Sequence, residues 1–383
     1  AHLKFLHIGD LHLGKRVNEI SMLAEQKHIL SEIAAVAERE QVDGILAAGD
    51  LYDKSTPSAE AVRLLDGFLT ELSEKNIPFY GISGNHDSAE RLAFAAALLK
   101  RQGVTVSPVF DGTLERVDLT DAYGPLHLYL MPFLKPAMIR PFFPEKTIES
   151  YEDGIACVLE AAQVDPAARN VLIAHQFVVS GETTPERCDS ETIYVGGVDS
   201  VSAGLFDAFD YVALGHLHGE QSIGRETVRY SGSPLKYSFS EVRQKKGALC
   251  VTVGEKGSVT VEKIPLTPLH DMREIRGPID RLLAPETVAM GDPEDYLHVT
   301  LTDTAVMDAA ARVRQVYPNL MKLDFDNAMT RSRGALGTPE LQEKQDPLEL
   351  FAAFYEQQNQ APLDGEKLAY VQGLLREGER RNR

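Results

Sequence analysis

Two pairs of residues spaced i, i+2 stand out for their chemistry. Asp10 and His12 lie in Gly9-Asp10-Leu11-His12-Leu13-Gly14, and His216 and His218 lie in Gly215-His216-Leu217-His218-Gly219. Between them come Gly49-Asp50-Leu51-Tyr52-Asp53, Gly84-Asn85-His86-Asp87, and His175, which closes the run Val171-Leu172-Ile173-Ala174. Carboxylates, an amide carbonyl and imidazoles together form a donor set suited to Mn, Fe or Zn. Asp50 has two oxygens with which to bridge two metals. A spacing of two lets both side chains face one side of an extended backbone, and that is the expectation for both pairs. Asp-x-His and Gly-Asp are common alone, and a single His such as His175 is ordinarily a hydrogen-bonded structural residue. Gly-Asn-His-Asp and Gly-His-x-His-Gly are rare, and the ordered set is hard to obtain by chance. Asp53 and Asp87 read as turn or supporting residues rather than direct ligands. His2, His7, His28, His127, His270 and His298 have no such pattern and read as structural or surface residues.

Elements that end in glycine must aim these side chains at one point. Apolar runs at Leu3–Ile8, Gly44–Ala48 and Pro78–Ile82 read as buried strands. Helical spacing covers Leu23–Glu40, Pro57–Glu74 (with Pro57 in its first turn) and Ser88–Arg101. This rhythm implies an α/β sheet, whose ligands sit outside the carboxyl ends of the strands. Further strands are expected at Leu126–Met131, Val171–Ala174, Tyr211–Leu214, Val228–Ser231, Ala248–Val253 and Val259–Ile264, with a helix at Ile148–Ala162. The later strands are expected to pair antiparallel. After Pro265–Pro268 the pattern becomes that of a small α+β domain: strands Met272–Arg276, Tyr296–Leu301 and Met321–Asp326, with helices Ile279–Leu283 and Ala305–Val316. Thr330–Thr338 is polar and reads as a linker. Helices are expected at Pro347–Gln358, with an apolar face of Leu348, Leu350, Phe351, Phe354 and Tyr355, and at Asp364–Glu379. A terminal helix pair of that kind folds back or docks on a partner.

Composition bounds the remaining possibilities. Three scattered cysteines among 383 residues argue against a disulfide framework and fit a reducing compartment, the cytoplasm. No apolar run reaches the roughly 20 residues of a membrane span. No secretory pattern opens the chain, because His2, Lys4 and His7 interrupt its first apolar run. A formal net charge of −18 is unlike a simple nucleic-acid binder. Bound cations or a partner would have to supply positive charge. Arg225 to Lys246 reverses the balance locally, with six basic residues against two acidic ones; it reads either as a solvated hairpin or as a contact surface.

In this order the five elements resemble the signature of the calcineurin-like metallophosphoesterases, over about residues 2–265. The wording of His7-Ile8-Gly9-Asp10-Leu11-His12-Leu13-Gly14-Lys15, Ala47-Ala48-Gly49-Asp50, Val212–His218 and Tyr230-Ser231-Gly232-Ser233-Pro234-Leu235-Lys236-Tyr237-Ser238-Phe239-Ser240-Glu241 is similar to SbcD proteins, which cut DNA in double-strand-break and hairpin processing together with an ATPase, SbcC. Leu11 stands where bacterial relatives often carry Trp, and the chain has no Trp. The resemblance implies a metallophosphoesterase β-sandwich flanked by helices over residues 1–268, a capping domain at 269–329, a linker at 330–346 and SbcC-binding helices at 347–383. It implies two Mn²⁺ ions, or Mg²⁺ or another divalent metal. Asp10, His12, Asp50 and His218 would hold one ion, and Asp50, Asn85, His175 and His216 the other. His86 would be catalytic, facing the scissile phosphate and protonating the leaving oxygen. Lys15, Arg16 and Lys236 are candidate DNA contacts. The implied partners are DNA, the coiled coil of an SbcC-type ATPase and a second copy of the chain within a heterotetramer. The competing readings are a phosphoprotein phosphatase, a small-molecule phosphodiesterase and a non-catalytic scaffold on the same fold.

Overall fold

The computed structural model describes residues 2–181, 183–192, 198–335, 348, 351–352, 355–356 and 364–381. In chain order the elements that build the site are β1 (Leu3–Ile8), α1 (Leu23–Arg39), β2 (Gly44–Ala47), α2 (Ala59–Glu74), β3 (Phe79–Gly81), α3 (Ala89–Leu92), α4 (Ala96–Lys100) and β4 (Val104–Val106). They are followed by β5 (Glu115–Asp121), β6 (Gly124–Leu130), α5 (Tyr151–Ala162), β7 (Arg169–His175), β8 (Tyr211–Gly215), β9 (Gln221–Ile223), β10 (Arg225–Tyr230), β11 (Gly247–Val253) and β12 (Val259–Pro265).

Two six-stranded sheets face each other, in the orders β12-β11-β1-β2-β3-β4 and β9-β10-β8-β7-β6-β5. Period-two alternation explains the stacking. Phe5, Leu46, Ile173, Tyr211 and Ala213 point into the layer between the sheets. Their neighbours Leu6, Ile45 and Ala47 pack against the side that carries α1 and α2. Leu172, Ala174, Val212 and Leu214 pack on the opposite outer face with residues of α5, such as Ile155 and Val158. The result is a β-sandwich flanked by helices, as expected. Its central strands β1-β2-β3-β4 and β6-β7-β8-β10 are parallel, so their carboxyl ends lie together. Antiparallel pairing of the later strands is confined to β9–β10, β11–β12 and β11–β1. The buried pair Arg169–Asp121 (2.7 Å) and the bond from Leu3 N–H to Asp121 (2.9 Å) pin one sheet to the other.

Several local expectations are corrected. The run 88–101 is two short helices, because Ala95 is left-handed (φ 57°) and cannot continue a right-handed helix. Helix α2 begins after Pro57: Ser58 is its cap, accepting from Ala61 N–H at 3.2 Å. Strand β5 was not expected, since its alternating Val117 and Leu119 sit among charged residues on a sheet edge.

Beyond the sandwich, β13 (Met272–Gly277), β14 (Tyr296–Leu301) and β15 (Leu320–Phe325) form a three-stranded sheet with α6 (Ala309–Val316). The chain divides into two compact units, Ala1–Leu301 with Val306–Asp324, and Thr302–Ala305 with Phe325–Arg383. Within the first, Glu25 of α1 accepts from the backbone N–H of Leu269 and His270 and from Tyr296 Oη (3.2 Å), so the sheet is anchored to the sandwich. In the second, α7 (Ala328–Ala335) occupies the start of the expected linker. The Asn327 side chain caps it, accepting from Met329 and Thr330 N–H at 3.0 Å. The rest of the linker lies outside the described residues. So does most of the helix expected at Pro347–Gln358, including Leu350 and Phe354; positions 348, 351–352 and 355–356 are helical. The last helix is α8 (Gly365–Arg381).

Candidate metal centre

The five motifs sit at the carboxyl ends of β1, β2, β3, β7 and β8, and hydrogen bonds between loops hold them in register. Asp10 N–H donates to Gly49 O (3.0 Å) and His12 N–H to Asp50 O (2.9 Å). The expected extended backbone is corrected here. Asp10 (φ 53°), His12 (φ 47°) and Asp50 (φ 49°) are left-handed, and His216 has φ 115°. Each such residue costs on the order of 1–3 kcal/mol, which the surrounding bonds must offset. The Asp87 carboxylate accepts from Leu51, Tyr52 and Gly84 N–H (2.8–3.1 Å) and locks the β2 loop to the β3 loop. Burial, reinforced by the nearby Asp50 charge, pushes the Asp87 pKa up to about 7. Gly84 is required by close approach: a Cβ there would lie 2.1 Å from Asp50 Oδ1.

All seven candidate ligands converge. Asp10, His12 and His218 bring donor atoms within 4.8 Å of one another, as do Asp10, Asp50 and His175, and His12, Asp50 and His86. His12 Nε2 is 3.1 Å from His218 Nε2 and 3.6 Å from Asp50 Oδ2. Asn85 Oδ1 is 2.9 Å from His175 Nε2 and 3.3 Å from His216 Nδ1. His175 Nδ1 donates to Ala48 O (2.7 Å), which turns Nε2 toward the Asn85 carbonyl and the Asp50 carboxylate. His218 Nδ1 donates to Ser190 Oγ (2.6 Å), and Ser190 donates onward to Glu241 (2.8 Å). His218 Nε2 therefore carries a lone pair, facing His12 Nε2.

Carboxylate, amide and imidazole donor atoms buried this close together need a proton or a cation between them to offset their repulsion, so the residues present fit divalent metals. The electrostatics agree. Burial raises the Asp10 pKa well above the carboxylate range, and burial, with the neighbouring His175, lowers that of His216 to about 3. At His175 burial works downward, but the Asp50 carboxylate outweighs it and lifts the pKa to about 9. A proton there takes the place of metal charge.

His86 stands over the cluster with its N–H bonded to Asp50 Oδ1 (2.9 Å). Its Nδ1 donates to Asp53 O (3.0 Å), and its Nε2 lies 3.2 Å from Thr192 Oγ1. The Asp53 carboxylate is 3.2 Å from His12 Nδ1, without the alignment of a hydrogen bond, and 3.3 Å from Lys15 Nζ. Lys15 is thus engaged beside the centre. Arg16 bonds to Glu19 O, and Lys236 is bound to Asp271 and to Val242 O at 2.8 Å. Much of the basic run is engaged by acceptors of the chain itself, inside and outside the run. Arg225 donates to Phe206 and Phe209 carbonyls, Arg229 pairs with Glu220 and Glu226, and Lys246 is buried against Glu241 (2.8 Å).

Sequence reasoning missed the support behind His218. Glu241, fully buried, accepts from Ser190, Ser238 and Ser233 hydroxyls, Tyr237 N–H and Lys246 Nζ, and Lys246 also donates to His218 O (2.8 Å). The signal was the polar Ser231-Gly232-Ser233…Ser238-Phe239-Ser240-Glu241 run, whose residues bend back on one carboxylate.

Comparison with known proteins gives the chain's family. The calcineurin-like phosphoesterase family profile matches residues 3–220. A second profile, SbcD_C, described as the type 5 capsule protein repressor C-terminal domain, matches residues 268–359. The SbcD subunit of the nuclease SbcCD from Staphylococcus epidermidis is 32% identical over 389 residues, covering 98% of this chain and all of that protein. Distant matches among solved structures include a Thermus thermophilus protein and a dimetal phosphatase from Danio rerio, each 11% identical. They cover 69% and 70% of this chain and 99% and 98% of their own, with TM-scores of 0.36 and 0.39. The chain belongs to the SbcD family of calcineurin-like phosphoesterases.

Proposed function

We propose that this chain hydrolyses DNA phosphodiester bonds at the centre formed by Asp10, His12, Asp50, Asn85, His175, His216 and His218. On this reading it is an exonuclease at duplex ends and an endonuclease on single-stranded or hairpin DNA, acting in the cytoplasm with an SbcC-type ATPase. The carrying observation is the complete, converging donor set in a chain related along nearly its whole length to a nuclease subunit. Two Mn²⁺ ions are the proposed metals; bound there, they would supply Lewis-acid stabilisation of charge on the phosphoryl oxygens. The protein's own task is positioning. Ala48 O and Ser190 fix the tautomers of His175 and His218, and the left-handed loops hold the carboxylates in place. His86 is the proposed general acid. Asp53 O fixes its Nδ1 proton, and Nε2 already meets an alcohol oxygen at 3.2 Å, the distance a departing 3′ oxygen would need. A cavity of about 390 Å³ walled by Asn85, Phe110, Phe133, Lys135 and Met138 opens beside the centre and suits a chain-like substrate.

His86→Gln should retain two Mn²⁺ per chain and lose most DNA cleavage; full activity in that variant would reject the role. The apolar face of the helix around Phe351 is the proposed SbcC dock. Truncation after Thr338 should keep nuclease chemistry and abolish co-purification with the ATPase. Exposed Val62, Phe94 and Leu98 on α2 and around α4 support pairing with a second copy. Among the described residues, no helix is long and apolar enough to cross a membrane.

A further inference from the structure

Arg187 lies near the centre, and among the described residues its charge has no ion-pair partner. Its Nε is buried without a hydrogen-bond partner, and among the described residues it forms no ion pair with Asp or Glu. In a chain with 57 acidic residues against 39 basic ones, that isolation is notable: Lys15, Arg225, Arg229, Lys236 and Lys246 all have partners. Asp199, itself largely buried, feels the Arg187 charge without reaching ion-pair distance.

The guanidinium is held in a fixed place. Its Cζ lies 4.1 Å from the centre of the Phe177 ring, a cation–π contact, and the Phe177 ring is 6.4 Å from that of His216. Phe177 directly follows His175 and Gln176 at the end of β7, so its position is set by the same strand that supplies a candidate ligand. A half-buried guanidinium without a counter-ion is costly, and its planar fork matches phosphate oxygens. We propose that Arg187 binds a phosphate of the substrate strand beside His216, with Phe177 as the platform that keeps the fork pointed there. This assignment rests on the phosphodiesterase reading given above. Arg187 would act by direct contact with substrate, and its counter-ion would arrive with each turnover.

The test uses the full chain loaded with Mn²⁺. Hydrolysis of bis(4-nitrophenyl) phosphate is inhibited with inorganic phosphate as the probe, and cleavage of duplex DNA is followed in parallel. Arg187→Met, which keeps length and apolar contact with Phe177, should weaken inhibition by phosphate on the order of 10- to 100-fold, the loss expected for a charge-assisted contact. It should retain the wild-type Mn²⁺ content and melting temperature. Arg187→Lys, which keeps the charge without the fork, should fall between the two and guards against a folding defect in the first variant. Unchanged inhibition by phosphate in both variants would overturn the proposal. So would weakened inhibition accompanied by lost metal, because Arg187 would then be a structural residue. If the wild type hydrolyses the aryl diester but not DNA while the Arg187 effect persists, the DNA reading fails and the phosphate assignment stands.

Discussion

Ser190→Ala is the sharpest test of how the protein prepares its centre. In the wild type, His218 Nδ1–H has one acceptor, Ser190 Oγ at 2.6 Å, and that hydroxyl is fixed by its own bond to Glu241 at 2.8 Å. Removing Oγ leaves the Nδ1 proton unsatisfied and frees the ring to shift it to Nε2. Nε2 faces His12 at 3.1 Å and is the nitrogen that must present a lone pair. Loss of such a supporting partner typically lowers metal affinity about 10- to 100-fold, or about 1.4–2.8 kcal/mol. The effect should be confined to one ion. His175 takes its orientation from Ala48 O at 2.7 Å, which the substitution does not touch. Calorimetric titration of metal-free protein with Mn²⁺ should therefore show two sites in the variant, one at wild-type affinity and one weakened; Ser190→Thr should restore it. Two unchanged sites, or two equally weakened ones, would refute the reasoning.

Other positions follow from the same geometry. Gly84→Ala would force a Cβ to 2.1 Å from Asp50 Oδ1; because Asp50 is shared, bound metal measured by elemental analysis should fall at both sites, with activity down on the order of 100-fold. Asp121→Asn breaks the buried pair with Arg169 and should cost about 3 kcal/mol in urea unfolding, whereas a change below about 1 kcal/mol would show that the two sheets do not depend on it. His7, buried between Tyr211 Oη (2.7 Å) and Leu214 O (3.1 Å), is held neutral with a pKa near 3 by burial. Because its folded pKa lies below the ordinary value of 6.5, the unfolded chain gains the proton first, and stability contributed by His7 is lost as pH falls from about 6.5 to about 3. His7→Gln should flatten that arm of the stability–pH curve, and an unaltered slope would contradict the assignment.

The fold and the convergence of the candidate residues were legible for one reason: each motif follows a short apolar run closed by glycine or another small residue, and parallel strands deliver those ends to one rim. What stayed hidden depends on contacts distant in sequence. Ser190 lies 28 residues from His218 and 51 from Glu241, in a stretch without periodicity. The left-handed turns at Asp10 and His12 arise from bonds to Gly49 and Asp50, which no local propensity reports. The polar run at Arg331-Ser332-Arg333-Gly334 looked like a linker, yet Asn327 caps a helix there. The positive excess from Arg225 to Lys246 read as either a solvated hairpin or a contact surface, but its partners Glu220 and Asp271 lie outside the run, and the carbonyls that accept from Arg225 come from Phe206 and Phe209. Arg187 is the reverse case, an ordinary arginine in the sequence that finds no counter-ion among the described residues.

The central claim is that this centre cuts DNA with divalent metal. The direct measurement is cleavage of blunt duplex and hairpin DNA by the purified full chain, with and without an SbcC-type partner, after chelation and readdition of Mn²⁺. Cleavage should disappear on chelation, return with Mn²⁺ and be lost in His86→Gln. Metal-replete protein that hydrolyses a small aryl phosphodiester but leaves both DNA substrates intact, even with the partner present, would contradict the claim.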